Sequence, residues 1–254
     1  MSLEPVAHIS QSKIDNAIDN NTRHVLNLLQ QAKVPVRIVG GAVRDLLLDK
    51  DPRDVDLVAD IDPTALIYLF EGHGIAVDLS GIKHGTVKAV FGRGEQEEKV
   101  EVSSLGYRIK RHGHRLTIDR THSWKTDSEL RDLTINSMSM DTGGRVYDYT
   151  GGLKDLRNQT VRMSPHSRDN FVLDPNTIMR YFKATSMFAD PKVSPDDIKW
   201  LKQNIYRLGE VADDKKVQMN MISILKSAHR HKTLNLMCGM GVQKYLNYIP
   251  CELG

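Results

Sequence analysis

The 254-residue sequence predicts an α+β fold, in which a mixed sheet with flanking helices is followed by an all-helical C-terminal part. Two observations predict this class. Short β-branched runs alternate with helical periodicity up to about residue 160, whereas the remainder shows helical periodicity alone. Gly151-Gly152 lies close to this change of pattern, and we predict a head domain over 1–160 and a helical domain over 161–254.

Each element of the N-terminal part follows from a local pattern of apolar and turn residues. Pro35 separates the first helix from the first strand. The predicted elements, in chain order, are a helix at 14–32, a strand at 36–39, a helix at 42–48, a strand at 55–58, a helix at 63–70, strands at 86–91 and 99–103, a helix at 128–138 and a strand at 145–148. Residues 106–123 are basic and lack apolar periodicity, which predicts a mobile loop.

The C-terminal part shows helical periodicity without any strand pattern. Its predicted helices lie at 175–188, 195–208 and 217–229. The sequence contains no internal repeat and no low-complexity tract, so neither a repeat array nor a disordered tail is indicated.

Composition narrows the classes of protein to consider. The net charge of +3 and the sequence pI of about 8.7 are compatible with an RNA partner but do not single one out. The two cysteines, Cys238 and Cys251, form neither a zinc-binding pair nor a disulfide framework, so a reducing cytoplasm is the expected compartment. The sequence has no signal peptide and no apolar run near the ~18 residues of a membrane span, so no membrane partner is expected.

A glycine pair at the end of the first predicted strand indicates a phosphate-binding turn. A strand that leads through Gly40-Gly41 into a helix leaves backbone N–H groups free, and glycine lets a phosphate approach them closely. Arg44, one turn into that helix, can add a charge-assisted hydrogen bond. Because such turns also occur without a ligand, the glycine pair alone does not assign a function.

Two carboxylates follow the glycine pair closely. On a strand, Asp54 and Asp56 would point to the same face, with Cα atoms roughly 6–7 Å apart. Like charges held together require a cation, and hard oxygen ligands favour Mg²⁺ or Mn²⁺. An isolated pair of this kind is more often part of a solvated loop, so the metal site depends on its combination with the glycine turn.

Taken together, the motifs resemble those of the family of CCA-adding enzymes and bacterial poly(A) polymerases. The match extends over about residues 36–188, which would form the head and neck of such an enzyme. The segments that carry it, in the family's order, are 39–48, 53–58, 83–87, 100–102, 130–138 and 151–156.

The resemblance implies a metal-dependent transfer of nucleotides from CTP or ATP to an RNA 3′ end, most directly tRNA CCA addition or repair. It also implies residue roles. Asp54 and Asp56 would bind the catalytic Mg²⁺ (or Mn²⁺), with Glu101 on the adjacent strand as a candidate third carboxylate. Glu101 is equally explained as an exposed strand residue beside Lys99. The implied substrate-binding residues are Gly40, Gly41, Arg44, Arg131, Asp132, Asp174, Arg180 and Lys183.

The sequence departs from the family in the neck helix, where an aspartate and an arginine bind the base edge of the incoming nucleotide. Asp174 matches that aspartate and Arg180 a later arginine, but the first arginine position holds Thr177 and a third holds Lys183. A threonine hydroxyl cannot replace the planar fork of a guanidinium, so we expect weaker discrimination between CTP and ATP than in the family. Asp174, which precedes Pro175, is also well placed to cap the helix.

Other functions stay open at this stage. Only about ninety residues follow Ser164, too few for the family's tail, so the acceptor would be held by its 3′ end alone or would not be tRNA. A poly(A)-type polymerase, a nucleotide- or RNA-end-binding protein with little turnover, and a nucleotidyltransferase that acts on a protein or small molecule are the alternatives. The paired carboxylates favour catalysis, because a protein that only binds a polyanion has no use for them.

Overall fold

The computed structural model describes residues 4–112, 115–168, 174–246, 248–249 and 251. Contacts divide the chain into two compact units. The first comprises the described residues up to Ser128 together with Asn136–Tyr149, and the second comprises Glu129–Ile135 and the described residues from Thr150 onward. The predicted α+β class is confirmed. The contact-based units are not continuous along the chain, so they do not test the domain ranges 1–160 and 161–254, which stay a prediction.

The first unit is built on a mixed sheet of eight strands, in the order β1-β10-β9-β2-β3-β6-β5-β4, with β7 and β8 forming a separate hairpin. All neighbouring pairs in the sheet are antiparallel except β3 and β6. The strands are β1 (Ala7–His8), β2 (Val36–Val39), β3 (Asp56–Ala59), β4 (Ala76–Asp78), β5 (Thr86–Phe91), β6 (Glu98–Ser104), β7 (Tyr107–His112), β8 (Arg115–Arg120), β9 (Ser139–Met140) and β10 (Arg145–Tyr147).

Helices flank this sheet and supply much of its core. They are α1 (Gln11–Ala17), α2 (Asn20–Gln31), α3 (Gly41–Leu47), α4 (Pro63–Gly72) and α5 (Trp124–Leu130). Helix α2 contacts β6 and α4 contacts β5. Their apolar faces are fully buried at Val25, Leu29, Leu66 and Phe70, so the helical periodicity seen in the sequence reflects packing against the sheet.

Several predicted boundaries differ from the structure. The predicted helix at 14–32 is interrupted at Ile18, because Asp19 caps a new helix with a hydrogen bond from the Thr22 N–H at 2.6 Å. The predicted helix at 128–138 ends at Leu130. The predicted loop at 106–123 contains the antiparallel strands β7 and β8, and residues 113–114 lie outside the described residues.

The second unit is mainly helical. Its helices are α6 (Gly152–Arg157), α7 (Thr177–Thr185), α8 (Pro195–Asn204), α9 (Lys215–Lys226) and α10 (Arg230–Gly239). Tyr181 and Phe182 of α7 are fully buried in its core. The prediction of an all-helical part is wrong in one respect, because β11 (Thr160–Val161) and β12 (Lys192–Val193) form a short parallel pair.

The cysteines differ from expectation, because Cys238 and Cys251 form a disulfide with Cα atoms 5.5 Å apart. Sequence spacing did not indicate this bond, since Cys238 is brought to Cys251 by the fold of α10 and the turn that follows it. Among the described helices, none combines the length and apolarity that crossing a bilayer requires.

Candidate active site

The turn between β2 and α3 has the backbone form that a phosphate-binding loop needs. Gly40 adopts φ 75° and ψ −139°, a conformation that side chains with a Cβ strongly disfavour. Gly41 begins α3, and a Cβ added there would lie 3.3 Å from a terminal nitrogen of Arg44. The two positions therefore require glycine for different reasons. Gly40 permits the turn, whereas Gly41 leaves space beneath the Arg44 guanidinium.

Arg44 is held rigidly above this turn. Its Nε and Nη2 contact Oδ1 of Asp45 at 2.9 and 2.8 Å, and its Nη1 donates to Oδ1 of Asn136 at 2.7 Å. The side chain is only 15% exposed. The predicted substrate-binding residues Gly40, Gly41 and Arg44 thus lie together, with the arginine preorganised by two partners. The sequence did not assign Asn136 this role.

Asp56 is fixed beside the same turn by strand pairing. It is the first residue of β3 and pairs with Val39, the last residue of β2. Asp54 lies in the loop before β3, so the alternation of a strand does not set its direction as predicted. The reason is that the chain leaves β2 at Gly40, so residues before Asp56 have no β2 partner. Both aspartates are exposed.

Glu101 lies on β6, on the same face of the sheet as Asp56. The parallel pairing of Val58 with Ser103 establishes this, because each residue is two positions from its carboxylate. The Glu101 carboxylate is engaged by Lys88, the residue opposite it on β5, at 2.5 Å. Lys99, the neighbour considered from the sequence, pairs with Asp78 instead.

The carboxylates suit a hard cation of the kind predicted. In the described part of the chain, no group of three or more His, Cys, Asp or Glu is arranged to hold a metal ion. Mg²⁺ does not require such a group, because it is commonly bound by one or two carboxylates together with water and substrate phosphates. Asp54 and Asp56, exposed beside a phosphate-binding turn, have the donor chemistry for that mode of binding.

A second cluster of predicted residues forms within the second unit. Arg180 donates from Nη2 to Oδ2 of Asp174 at 2.8 Å, and its Nε lies 3.3 Å from Oδ2 of Asp132, an ion pair without an aligned hydrogen bond. Asp174 also accepts from the N–H of Asn176 at 3.0 Å, and α7 begins at Thr177. The N-cap residue of α7 is Asn176, so the predicted cap at Asp174 is wrong by two residues. Asp174 instead orders the turn before the helix while it pairs with an arginine.

Thr177 contributes to this cluster in a way the sequence did not indicate. Its hydroxyl accepts a hydrogen bond from Arg180 Nη2 at 3.2 Å. Asp174 therefore has an arginine partner in Arg180, from the next turn of α7, although position 177 holds a threonine. The expectation of weaker discrimination between CTP and ATP stays a prediction.

The remaining predicted residues lie close in sequence to this cluster. Arg131 is half-buried in the bend after α5, directly before Asp132, and makes interactions of its own. Lys183 is exposed one helical turn beyond Arg180 and is also partnered. Their functional roles stay predictions.

Comparison with known proteins bears on what these groups do. The family model described as the poly(A) polymerase head domain matches residues 36–162. The human protein named "CCA tRNA nucleotidyltransferase 1, mitochondrial" is 31% identical over 214 residues, which make up 83% of this chain and 48% of the relative. The chain spans about half the length of the curated relatives it matches.

Solved structures give the same fold. A CCA-adding enzyme of Bacillus stearothermophilus in complex with CTP matches with a TM-score of 0.72 at 26% identity, covering 91% of this chain and 55% of that one. A tRNA nucleotidyltransferase complexed with a primer tRNA and an incoming ATP analogue matches with a TM-score of 0.62, also at 26% identity, covering 88% and 62%.

Proposed function

Because this chain belongs to the poly(A) polymerase head-domain family, we propose that it transfers nucleotides from CTP and ATP to the 3′ end of an RNA. The reaction we propose is addition or repair of the CCA end of tRNA, with release of pyrophosphate. The observation that carries the proposal is the pairing of Asp56 with Val39, because it holds a carboxylate beside the Gly40–Gly41 turn. Arg44 lies over Gly41 in the same turn.

The chain's own residues would divide the work in the following way. The Gly40–Gly41 backbone and the Arg44 guanidinium hold the triphosphate, with Arg44 kept in place by Asp45 and Asn136. Asp54 and Asp56 would hold Mg²⁺ or Mn²⁺, which when bound supplies Lewis acidity for the attacking 3′-hydroxyl and the leaving phosphate.

Nucleotide choice is assigned to the cluster in the second unit. The Asp174 carboxylate can accept a hydrogen bond from an exocyclic amino group, which both cytosine and adenine carry. The Arg180 guanidinium can donate to a ring nitrogen or carbonyl oxygen of the base. Arg131 and Asp132 are assigned to the parts that all nucleotides share, the ribose and phosphates. Glu101 is kept as a candidate third carboxylate that would first have to leave Lys88.

Poly(A)-type addition is the alternative within the same chemistry. The observation that favours it is Thr177, because a pair rebuilt from Arg180 need not present the donors in the geometry that distinguishes cytosine from adenine. A protein that binds nucleotides or RNA ends with little turnover is the alternative outside that chemistry. We also keep the domain ranges 1–160 and 161–254 as proposals. The cytoplasmic location is kept as well, although the Cys238–Cys251 disulfide does not favour a reducing compartment.

One incubation experiment separates these functions. The protein is mixed with Mg²⁺, each labelled NTP in turn, and tRNA lacking one, two or three terminal nucleotides, with oligo(A) as a control acceptor. We expect CTP and ATP to be incorporated in the order that completes CCA, after which addition stops. Continued adenylate addition to oligo(A) would identify a polymerase. Binding of NTP and tRNA without incorporation would contradict the proposed activity.

A further inference from the structure

An arginine in cation–π contact with two aromatic rings lies on the face of the sheet that carries Asp56. The guanidinium carbon of Arg37 is 4.3 Å from the ring centroid of Trp124 and 3.9 Å from that of Tyr147. Its Nη1 donates to the hydroxyl of Ser139 at 3.1 Å and approaches that of Tyr149 at 3.5 Å. None of these residues stands out in the sequence as a candidate for binding or catalysis.

Strand register places this stack relative to the carboxylate. Tyr147 pairs with Ser139, Ser139 with Val39, and Val39 with Asp56, so these four form a straight row across β10, β9, β2 and β3. Directly paired residues share a face, and Arg37, two positions before Val39, shares it too. At a strand spacing of about 4.8 Å, Ser139 lies on the order of 10 Å from Asp56.

The Arg37 head group retains capacity to bind an anion. In the part of the chain that the structure describes, Arg37 forms no ion pair with a carboxylate, whereas Arg44 is neutralised by Asp45. A guanidinium has five N–H donors, and the contacts to Ser139 and Tyr149 both use Nη1. Nε and Nη2 remain as a planar pair that matches two phosphate oxygens. The aromatic rings fix the orientation of that pair.

Tyr147 supports this arrangement as a neutral ring. Burial, together with the neighbouring Asp141 carboxylate, raises the pKa of the Tyr147 phenol above its usual value. The ring therefore stays uncharged at neutral pH, and the stack carries the single positive charge of Arg37. Trp124 is itself held in place by packing against Val39, Val58 and Leu105.

We propose that Arg37 binds a backbone phosphate of the acceptor RNA next to its 3′ end, an inference that rests on the proposed function. Displacement at phosphorus places the attacking and leaving oxygens on opposite sides. Along β2, the Gly40–Gly41 turn assigned to the triphosphate lies on one side of the Val39–Asp56 pair, and Arg37 lies on the other. The acceptor strand therefore approaches from the side of Arg37.

The test combines a protein change with a matching change in the RNA. Binding of a fluorescent RNA hairpin that ends just before CCA is measured by anisotropy, without NTP, for wild type and Arg37→Gln. The RNA is used with its natural last phosphodiesters or with one of them replaced by an uncharged methylphosphonate. Arg93→Gln, which removes an exposed charge from the β5–β6 turn, is the control variant.

We expect Arg37→Gln to weaken binding roughly ten- to a hundredfold and to lower the salt slope by about 1. One methylphosphonate position should weaken wild type to the same extent and leave Arg37→Gln unaffected. In turnover assays, KM for RNA should rise while KM for CTP stays unchanged. Arg93→Gln should match wild type.

Two results would overturn the proposal. If every methylphosphonate penalty adds in full to that of Arg37→Gln, the arginine does not contact those phosphates. If KM for CTP rises instead of KM for RNA, Arg37 serves the nucleotide. The methylphosphonate series on wild type remains informative even if Arg37→Gln folds poorly. Because binding is measured without NTP, failure of the proposed catalysis would appear separately, as absent incorporation by wild type.

Discussion

At the scale of single residues, the two aspartates illustrate two ways of placing a carboxylate. Asp56 is fixed by its pairing with Val39, whereas Asp54 depends on the loop that precedes β3. Strand pairing is a strong local constraint, because a shift of one residue would turn every side chain to the other face. Asp56 therefore has a position that sequence patterns can predict, and Asp54 has one that only the folded loop defines.

Replacing Asp54 or Asp56 by alanine should abolish nucleotide incorporation while leaving the fold intact. Both side chains are exposed, so their removal opens no cavity, and loss of one repelling charge should leave stability unchanged or slightly higher. Incorporation and thermal unfolding are measured for both variants, with Asp51→Ala in the same loop as the control. Wild-type incorporation by either variant would remove these aspartates from the metal site.

Arg180 should determine the choice between CTP and ATP. Its fork is oriented by Asp174 and Thr177, and loss of a partner for a buried base edge costs about 1–3 kcal/mol. We expect Arg180→Ala to lower the ratio of kcat/KM for CTP to that for ATP roughly ten- to a hundredfold, on RNA ending just before CCA.

A compensating variant provides the control for this prediction. Thr177→Arg places a guanidinium at the family's usual position, so it should restore selectivity when added to Arg180→Ala. In the wild-type background Thr177→Arg should sharpen selectivity less, because Arg180 already forms an ion pair with Asp174. An Arg180→Ala variant with unchanged selectivity would show that other groups bind the base edge.

At the scale of elements, the β2–α3 turn separates two effects of glycine that sequence alone cannot distinguish. Gly40 has a positive φ and Gly41 does not. An added methyl group at Gly40 meets backbone strain, whereas at Gly41 it meets the end of the flexible Arg44 side chain. The same residue type therefore permits the backbone turn at one position and leaves room for the Arg44 side chain at the next.

We expect Gly40→Ala to lower the free energy of unfolding by about 1–3 kcal/mol. Gly41→Ala should change it by less than about 0.5 kcal/mol but raise KM for NTPs severalfold, because Arg44 must move away from the turn. Denaturant unfolding and steady-state kinetics on both variants check this. Equal losses of stability would mean that Gly41 is also required by the backbone.

The elements show where prediction from sequence succeeds. The strand at Thr86–Phe91 and the helix that starts at Pro63 were predicted correctly, since β-branched residues and a proline near the helix start are local signals. The helix predicted over 128–138 was wrong beyond Leu130, because Leu133 forms a bridge with Met163 and Thr134 bonds Asp155. Those partners are distant in sequence, so local periodicity carries no information about them.

The same distinction applies to the candidate site. The glycine turn, Asp56 and Asp174 follow from motifs of consecutive residues. The Arg180 pairing and the Arg37 stack depend on contacts across a helical turn or between strands far apart in sequence. The register of β2, β9 and β10 depends on how all the strands pair in the sheet. The sequence of any single strand does not determine it.

At the scale of the whole molecule, contacts divide the chain into two compact units, and the disulfide belongs to the second. A bond between Cys238 and Cys251 closes a loop over a sequence separation of 13. In the chain-entropy account, a loop of this size stabilises the folded state by about 3 kcal/mol. Its effect should be confined to the residues that unfold together with α10.

Reduction of the disulfide should therefore speed hydrogen exchange in α9 and α10 and leave β2 and β3 unchanged. Exchange is measured by mass spectrometry on oxidised and reduced protein, with Cys251→Ser as the variant that should match the reduced form. Faster exchange in β2 and β3 as well would mean that the two units unfold as one.

The alternation of the chain between its two units limits how its gene can be recombined with that of a relative. By their contacts, Leu133 and Thr134 belong to the same unit as the residues from Thr150 onward. Leu133 forms a β-bridge with Met163. Asp155 accepts hydrogen bonds from Thr134 at 2.6 Å and from Arg162 at 3.0 Å. A chimera joined at residue 160 would take Leu133 and Met163, and likewise Asp155 and Arg162, from different parents. A crossover placed after Met163 keeps these pairs together but separates Asp132 from Arg180. Exchanging the second unit between relatives therefore requires moving Glu129–Ile135 together with the residues from Thr150 onward.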